Sequence, residues 1–200
     1  MEKGRKLEEL QDTVSKCQKC SLHLFRKNVV FGMGNPETEI MFVGEAPGYH
    51  EDIQGLPFVG QAGKLLDRLL KEIGFSREDV YIGNVIKCRP PRNRDPYPEE
   101  IETCKPYLLK QIEIINPLLI CTLGRFALQV LAGEKLSITR YHGKIIRKES
   151  YLLYPLFHPA AALHRAPLYQ PLREDFLRIP RILEKMKKNT PSSQTQLSLF

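Results

Sequence analysis

The sequence predicts an α/β domain with a mainly parallel sheet covered by helices on both faces. Three observations carry this expectation. Short apolar, β-branched runs such as "EIMFV", "VYIGNVI" and "PLLICTL" read as buried strands. Patterns of helical period and sufficient length for crossovers separate them. Connections of that kind are right-handed and return the chain in the same direction, so the helices fall on both sides of the sheet.

The elements follow in order. Residues 3–16 have an amphipathic helical pattern that runs into Cys17. A strand is expected over 39–44, a helix over 61–74 closed by Gly74, and a strand over 80–86. The helix over 98–115 is stopped by Pro117, and the strand over 118–123 leads into a short helix at 124–132. Two β-rich stretches, 143–149 and 151–157, precede a last helix over about 171–187. Residues 1–187 are read as one domain and 188–200 as a tail, because "NTPSSQTQLSLF" lacks the apolar content to fold alone.

A chain of 200 residues buries roughly 70% of the surface it would expose unfolded, so no disulfide staples are needed. The opening "MEKGRKLEEL" lacks the apolar core of a signal peptide, and no run of about 18 uncharged apolar residues occurs. A soluble, cytoplasmic protein with no membrane partner is expected, and a monomer. The net charge of +7 favours a polyanionic partner. Five cysteines in a reducing compartment are better explained by a four-thiolate metal site and one spare, Cys121, than by disulfides.

Parallel sheets bind ligands at the carboxyl ends of their strands. The first such end is "GEAPGYHEDIQGLPFVGQAGKLL". It has neither Gly-Lys-Ser/Thr nor a G-x-G-x-x-G at the right spacing, which argues against a triphosphate cradle. Its glycines allow close backbone approach to a flat or charged group, and Glu45, Glu51 and Asp52 share the loop. At the second end, Asn84 interrupts an apolar strand. A buried amide left unpaired costs about 1–3 kcal/mol, so Asn84 either ties a turn or reads a ligand edge. Lys87, Arg89, Arg92 and Arg94 follow among prolines as a stiff basic loop suited to phosphates. At the third end, His158 directly follows a strand and precedes a proline. One ligand-capable residue at each of three strand ends points to a shared site.

Cys17 and Cys20 form one C-x-x-C, while Cys88 and Cys104 are separated by fifteen residues. The four thiolates suit zinc or an iron–sulfur cluster, and their spacing does not choose between them.

Taken in order, "GEAPGYHED", "GLPFVGQAG", "GNVIKCRPP" and "HPAAALHR", with the four cysteines, resemble the family 4 uracil-DNA glycosylases, the iron–sulfur type of thermophilic prokaryotes. The likeness runs from about residue 7 to 180. It implies a three-layer α/β/α sandwich around a four-stranded parallel sheet, and release of uracil from single- or double-stranded DNA at the start of base excision repair. It implies a [4Fe-4S] cluster on Cys17, Cys20, Cys88 and Cys104. Gly44, Glu45 and Ala46 would line the uracil pocket, Phe58 would stack on the base, Asn84 would read its edge, and His158 would face its carbonyl.

Excision requires the nucleotide to be flipped from the duplex. Leu163, with His164 and Arg165, is expected to form the wedge that fills the vacated stack. His158 as neutral imidazole would donate to uracil O2 and Glu45 would orient a water, while Glu51 would crowd the position of a thymine methyl. The tail's Gln194, Leu197 and Phe200 resemble a sliding-clamp-binding box. Two other readings stay open: a non-catalytic iron–sulfur protein that binds damaged DNA or senses redox state, and a zinc-stabilised nucleotide-binding enzyme.

Overall fold

A computed structural model describes residues 2–149 and 151–189. Helix α1 (Glu2–Ser15) precedes the edge strand β1 (Met33–Gly34) and the central strand β2 (Ile40–Gly44). Helices α2 (Tyr49–Gln54) and α3 (Gln61–Glu72) lead to β3 (Tyr81–Asn84), and α4 (Pro98–Ile115) leads to β4 (Leu119–Leu123). Then come α5 (Arg125–Ala132), α6 (Ile138–Tyr141), β5 (Ile146–Arg147), β6 (Leu152–Leu156), α7 (Pro159–His164) and α8 (Tyr169–Asn189).

The strands lie in the order β1-β3-β2-β4-β6-β5. The inner four are parallel, as expected, and β1 and β5 add antiparallel pairs at the two edges. Each edge strand has only two residues, too few to leave an alternation in the sequence. The β-rich stretch at 143–149 accordingly contributes only Ile146 and Arg147.

Strand alternation divides the core into two layers. Along β2, Met41 and Val43 face α1, α4 and α5, where they meet Leu7, Leu108 and Leu128. Ile40 and Phe42 face α3 and α8, where four leucines of α3 (Leu65, Leu66, Leu69, Leu70) and Phe176 pack. The Phe42 and Phe176 rings stack at 5.7 Å between centroids. Burying apolar side chains of this size contributes roughly 1.5–3 kcal/mol each. This sandwich fixes the sheet's register: Gly44 stands opposite Asn84, and Leu123 opposite Leu156. The carboxyl ends of all four parallel strands therefore open on one rim.

Candidate active site

One cavity of about 310 Å³ lies on that rim, lined by Glu45, Ala46, Phe58, Asn84, Arg94 and His158 among others. The three strand-end residues singled out in the sequence, Glu45, Asn84 and His158, all line it. Gly44 lies in the layer beneath, where its lack of a side chain matters: a Cβ there would stand 2.6 Å from Phe58 Cζ and would also strike Asn84 Oδ1.

Asn84 is 2% exposed, and its Oδ1 has no hydrogen-bond partner among the described residues. A buried acceptor left bare is costly, and Asn84 lines the cavity, where a ligand could relieve that cost. His158 Nδ1 accepts the Ala160 N–H at 3.1 Å and caps α7. Nδ1 is thus the acceptor, and the neutral ring carries its proton on Nε2. Burial lowers the imidazole pKa to about 4, against a smaller opposing pull from Glu51. The ring is therefore a neutral donor at ordinary pH.

Glu45 makes no side-chain hydrogen bond among the described residues. Burial, reinforced by the charge of Asp95 and opposed by Arg125, raises its carboxyl to about 7. Asp95 and Arg125 form an exposed ion pair with each other. Neither carries a signal in the sequence, although Arg125 follows the end of β4, the fourth parallel strand end.

Phe58 is buried with φ +54, an unfavourable region for a bulky side chain. The strain is held from outside. Arg77 donates to the Phe58 carbonyl and, at 2.9 Å, to the Pro57 carbonyl, while its Nε meets Asp67 at 2.6 Å. The chain closes so tightly here that a Cβ on Gly63 would collide with the same Phe58 carbonyl. The ring ends up 5.7 Å from that of His158, inclined at 28°. Nothing in "GFSREDV" announces that Arg77 reaches back nineteen residues. Glu51 also lines the cavity, but its Oε1 accepts the N–H groups of Val59 and Gly60, both at 2.9 Å. It ties the Phe58 loop to α2 as well as facing the cavity.

Lys87 requires a correction. Expected to contact phosphate, it is 0% exposed. Its Nζ donates to the Asn84 carbonyl at 2.8 Å and to Gln111 Oε1 at 2.6 Å, and burial lowers its pKa to about 8. It is an internal strut beneath Asn84. Arg94 is largely committed too, with both terminal nitrogens on the Glu100 carboxylate at 2.9 and 2.6 Å. Arg89 donates to Asn93 Oδ1 at 2.7 Å, whereas Arg92 is exposed with no charge partner among the described residues. Leu163, His164 and Arg165 are exposed at the far end of α7, Leu163 to 50%.

Cys17, Cys20, Cys88 and Cys104 line a separate recess between α1 and α4. Cys88 Sγ accepts from Arg26 Nη1 at 3.1 Å and Cys104 Sγ from the Lys87 N–H at 3.3 Å. Burial raises both thiols, Cys104 to about 11. Among the described residues no group of three His, Cys, Asp or Glu side chains is close enough to hold a single metal ion. The four thiols nonetheless share this recess, a donor set of the kind that holds a metal or an iron–sulfur cluster. Cys121 is fully buried in β4 and is not among the residues lining that recess. Gln194, Leu197 and Phe200 lie outside the described residues, and no helix among those described is long and apolar enough to cross a membrane.

Residues 31–178 match the uracil DNA glycosylase superfamily. A type-4 uracil-DNA glycosylase of Saccharolobus solfataricus is 52% identical over 186 residues, covering 88% of this chain and 86% of the relative. The protein of that name from Thermotoga maritima is 53% identical over 78% of this chain and 83% of its own. That of Archaeoglobus fulgidus is 46% identical over 90% and 94%.

Proposed function

The chain belongs to the uracil DNA glycosylase superfamily, and from its cavity we propose that it hydrolyses the N-glycosidic bond of uracil in DNA, releasing the base and leaving an abasic site. The observation that carries this reading is that Asn84, whose buried Oδ1 is bare among the described residues, lines the same cavity as a neutral imidazole and a carboxyl. Uracil offers a donor at N3, which Oδ1 accepts, and an acceptor at O4 for the Asn84 amide nitrogen. Cytosine reverses both positions, and mismatched buried polar groups of this kind reject an analogue by about 10⁴–10⁵.

Bond cleavage leaves negative charge on uracil O2 and positive charge on the sugar. The His158 Nε2–H donates to O2, and a donor so placed contributes about 3–4 kcal/mol in comparable sites. Glu45, once ionised, orients water beneath the sugar and opposes its developing charge. Phe58, fixed by Arg77, stacks on the extruded ring, and Gly44 and Ala46 shape its floor. Leu163 enters the stack that the nucleotide leaves, with His164 and Arg165 at the backbone, while Arg89 and Arg92 meet phosphates.

Cys17, Cys20, Cys88 and Cys104 would hold a [4Fe-4S] cluster, which when bound supplies a covalent staple and a redox-capable centre. The Arg26 and Lys87 N–H groups bond to two of the sulfurs. The tail would add binding to a sliding clamp through Gln194, Leu197 and Phe200. Deletion of residues 191–200 should abolish that binding and spare excision from short oligonucleotides.

The decisive experiment incubates the protein with oligonucleotides carrying uracil opposite guanine, opposite adenine or unpaired, then treats them with alkali. Strand scission at the uracil is expected. Intact strands in all three would refute the assignment, whereas binding without scission would favour the non-catalytic iron–sulfur reading.

A further inference from the structure

We infer that Tyr49 and Tyr97 are stacking platforms for the unpaired nucleobases that flank the extruded uridine, so that the site is built to grip a single strand. This rests on the glycosylase reading and specifies how that site holds its substrate. Both rings are exposed, Tyr49 to 53% and Tyr97 to 51%. A single exposed aromatic needs no explanation. Two beside one cavity, each backed by a guanidinium, form a pattern.

The Arg89 guanidinium lies 5.1 Å from the Tyr49 centroid, and that of Arg94 lies 3.7 Å from the Tyr97 centroid. Both arginines are fixed: Arg89 by Asn93, Arg94 by the buried Glu100, which also accepts the Tyr97 N–H at 2.8 Å. His50 meets the Tyr49 ring edge-on at 5.5 Å. The tyrosines are thus pre-set, and little side-chain freedom remains to be lost when a base arrives.

Their position supplies the ligand. Gly48, next to Tyr49, lines the cavity, as do Pro90, Asn93 and Arg94 in the loop that runs up to Tyr97. A nucleotide adjoining one seated in the cavity therefore meets a ring face and a guanidinium together, suited to its base and its phosphate respectively. Base–aromatic stacking tolerates any sequence because every base has a π-face. In a duplex the flanking bases remain paired and Leu163 serves the gap. In a single strand no complementary chain holds them, and the tyrosines take that place. The reaction itself uses neither ring.

The test measures anisotropy of labelled single strands carrying one central 2′-fluoro-2′-deoxyuridine, whose fluorine slows bond cleavage. One strand has ordinary bases on both sides of it, and the other has baseless tetrahydrofuran spacers there. The intact protein should prefer the base-flanked strand by about 100-fold. Tyr49→Ala and Tyr97→Ala should each remove about 10-fold of that preference, while Tyr49→Phe and Tyr97→Phe should retain it. Equal affinity of the intact protein for the two strands, or full preference in both alanine variants, overturns the inference. Excision by the intact protein from an ordinary uracil strand is run alongside. Its absence would sink the glycosylase reading, whereas excision without discrimination would sink the platforms alone.

Discussion

The pH dependence of excision tests the site at its most specific point. Glu45 titrates at about 7 and His158 at about 4, so the working form, carboxylate with neutral imidazole, is limited by the carboxylate. At pH 6 about a tenth of a group with that pKa is ionised, and at pH 8 about nine tenths, so single-turnover excision should rise roughly tenfold between them and level off. Glu45→Gln should abolish the rise and slow excision by about 10²–10⁴-fold. Burial is the largest cause of the shift, with Asp95 and Arg125 acting on it in opposite senses. Asp95→Asn should therefore move the rise to lower pH and Arg125→Ala to higher pH, each by less than the whole displacement. The same proton bears on folding. A carboxyl raised in the folded state contributes stability that is complete below its ordinary value of 4.5 and lost as pH rises through about 7. Thermal unfolding across that window should show the loss, reduced in Glu45→Gln. A rate that still rises near neutrality in Glu45→Gln, or Asp95 and Arg125 variants that move it in the same direction, would refute the reasoning.

Other outcomes follow from single contacts. His158→Ala and Asn84→Ala should each slow excision by about a hundredfold or more while the fold is kept, checked by oligonucleotide cleavage and circular dichroism. Lys87→Met leaves the Asn84 carbonyl and Gln111 Oε1 without their donor; it should cost about 1–3 kcal/mol in denaturant unfolding and leave the salt dependence of DNA binding unchanged. Arg92→Ala, by contrast, should lower the slope of log affinity against log salt by about one. Cys88→Ser should remove the visible absorbance expected of an iron–sulfur cluster and lower the thermal unfolding temperature together; a variant that keeps its colour would void the assignment of that ligand.

The sequence displayed the layers of the fold because apolar period and element length are local properties, and β2, β3, β4 and α3 carry them strongly. The convergence of Glu45, Asn84 and His158 was legible for a related reason, since parallel strands deliver their carboxyl ends to one rim. What stayed hidden depends on distant partners. Lys87 belongs to a string of cations and reads as one more until Gln111, twenty-four residues on, takes its ammonium. Arg77 looks like any polar loop residue, yet it holds Phe58 in a left-handed backbone. The pairing of Asp95 with Arg125 spans thirty positions. No spacing rule encodes such bonds, and they decide whether a charge meets solvent, a ligand or its own chain.

Helix α7 is six residues long, a rod of about 9 Å. Its first turn is clasped by the His158 imidazole, and its other end bears the Leu163 side chain. On the proposed mechanism, intrusion into DNA and alignment of the imidazole donor would be strokes of a single lever. A base not fully displaced would then find the donor out of line, a way to spare normal stacked nucleotides without inspecting each one chemically.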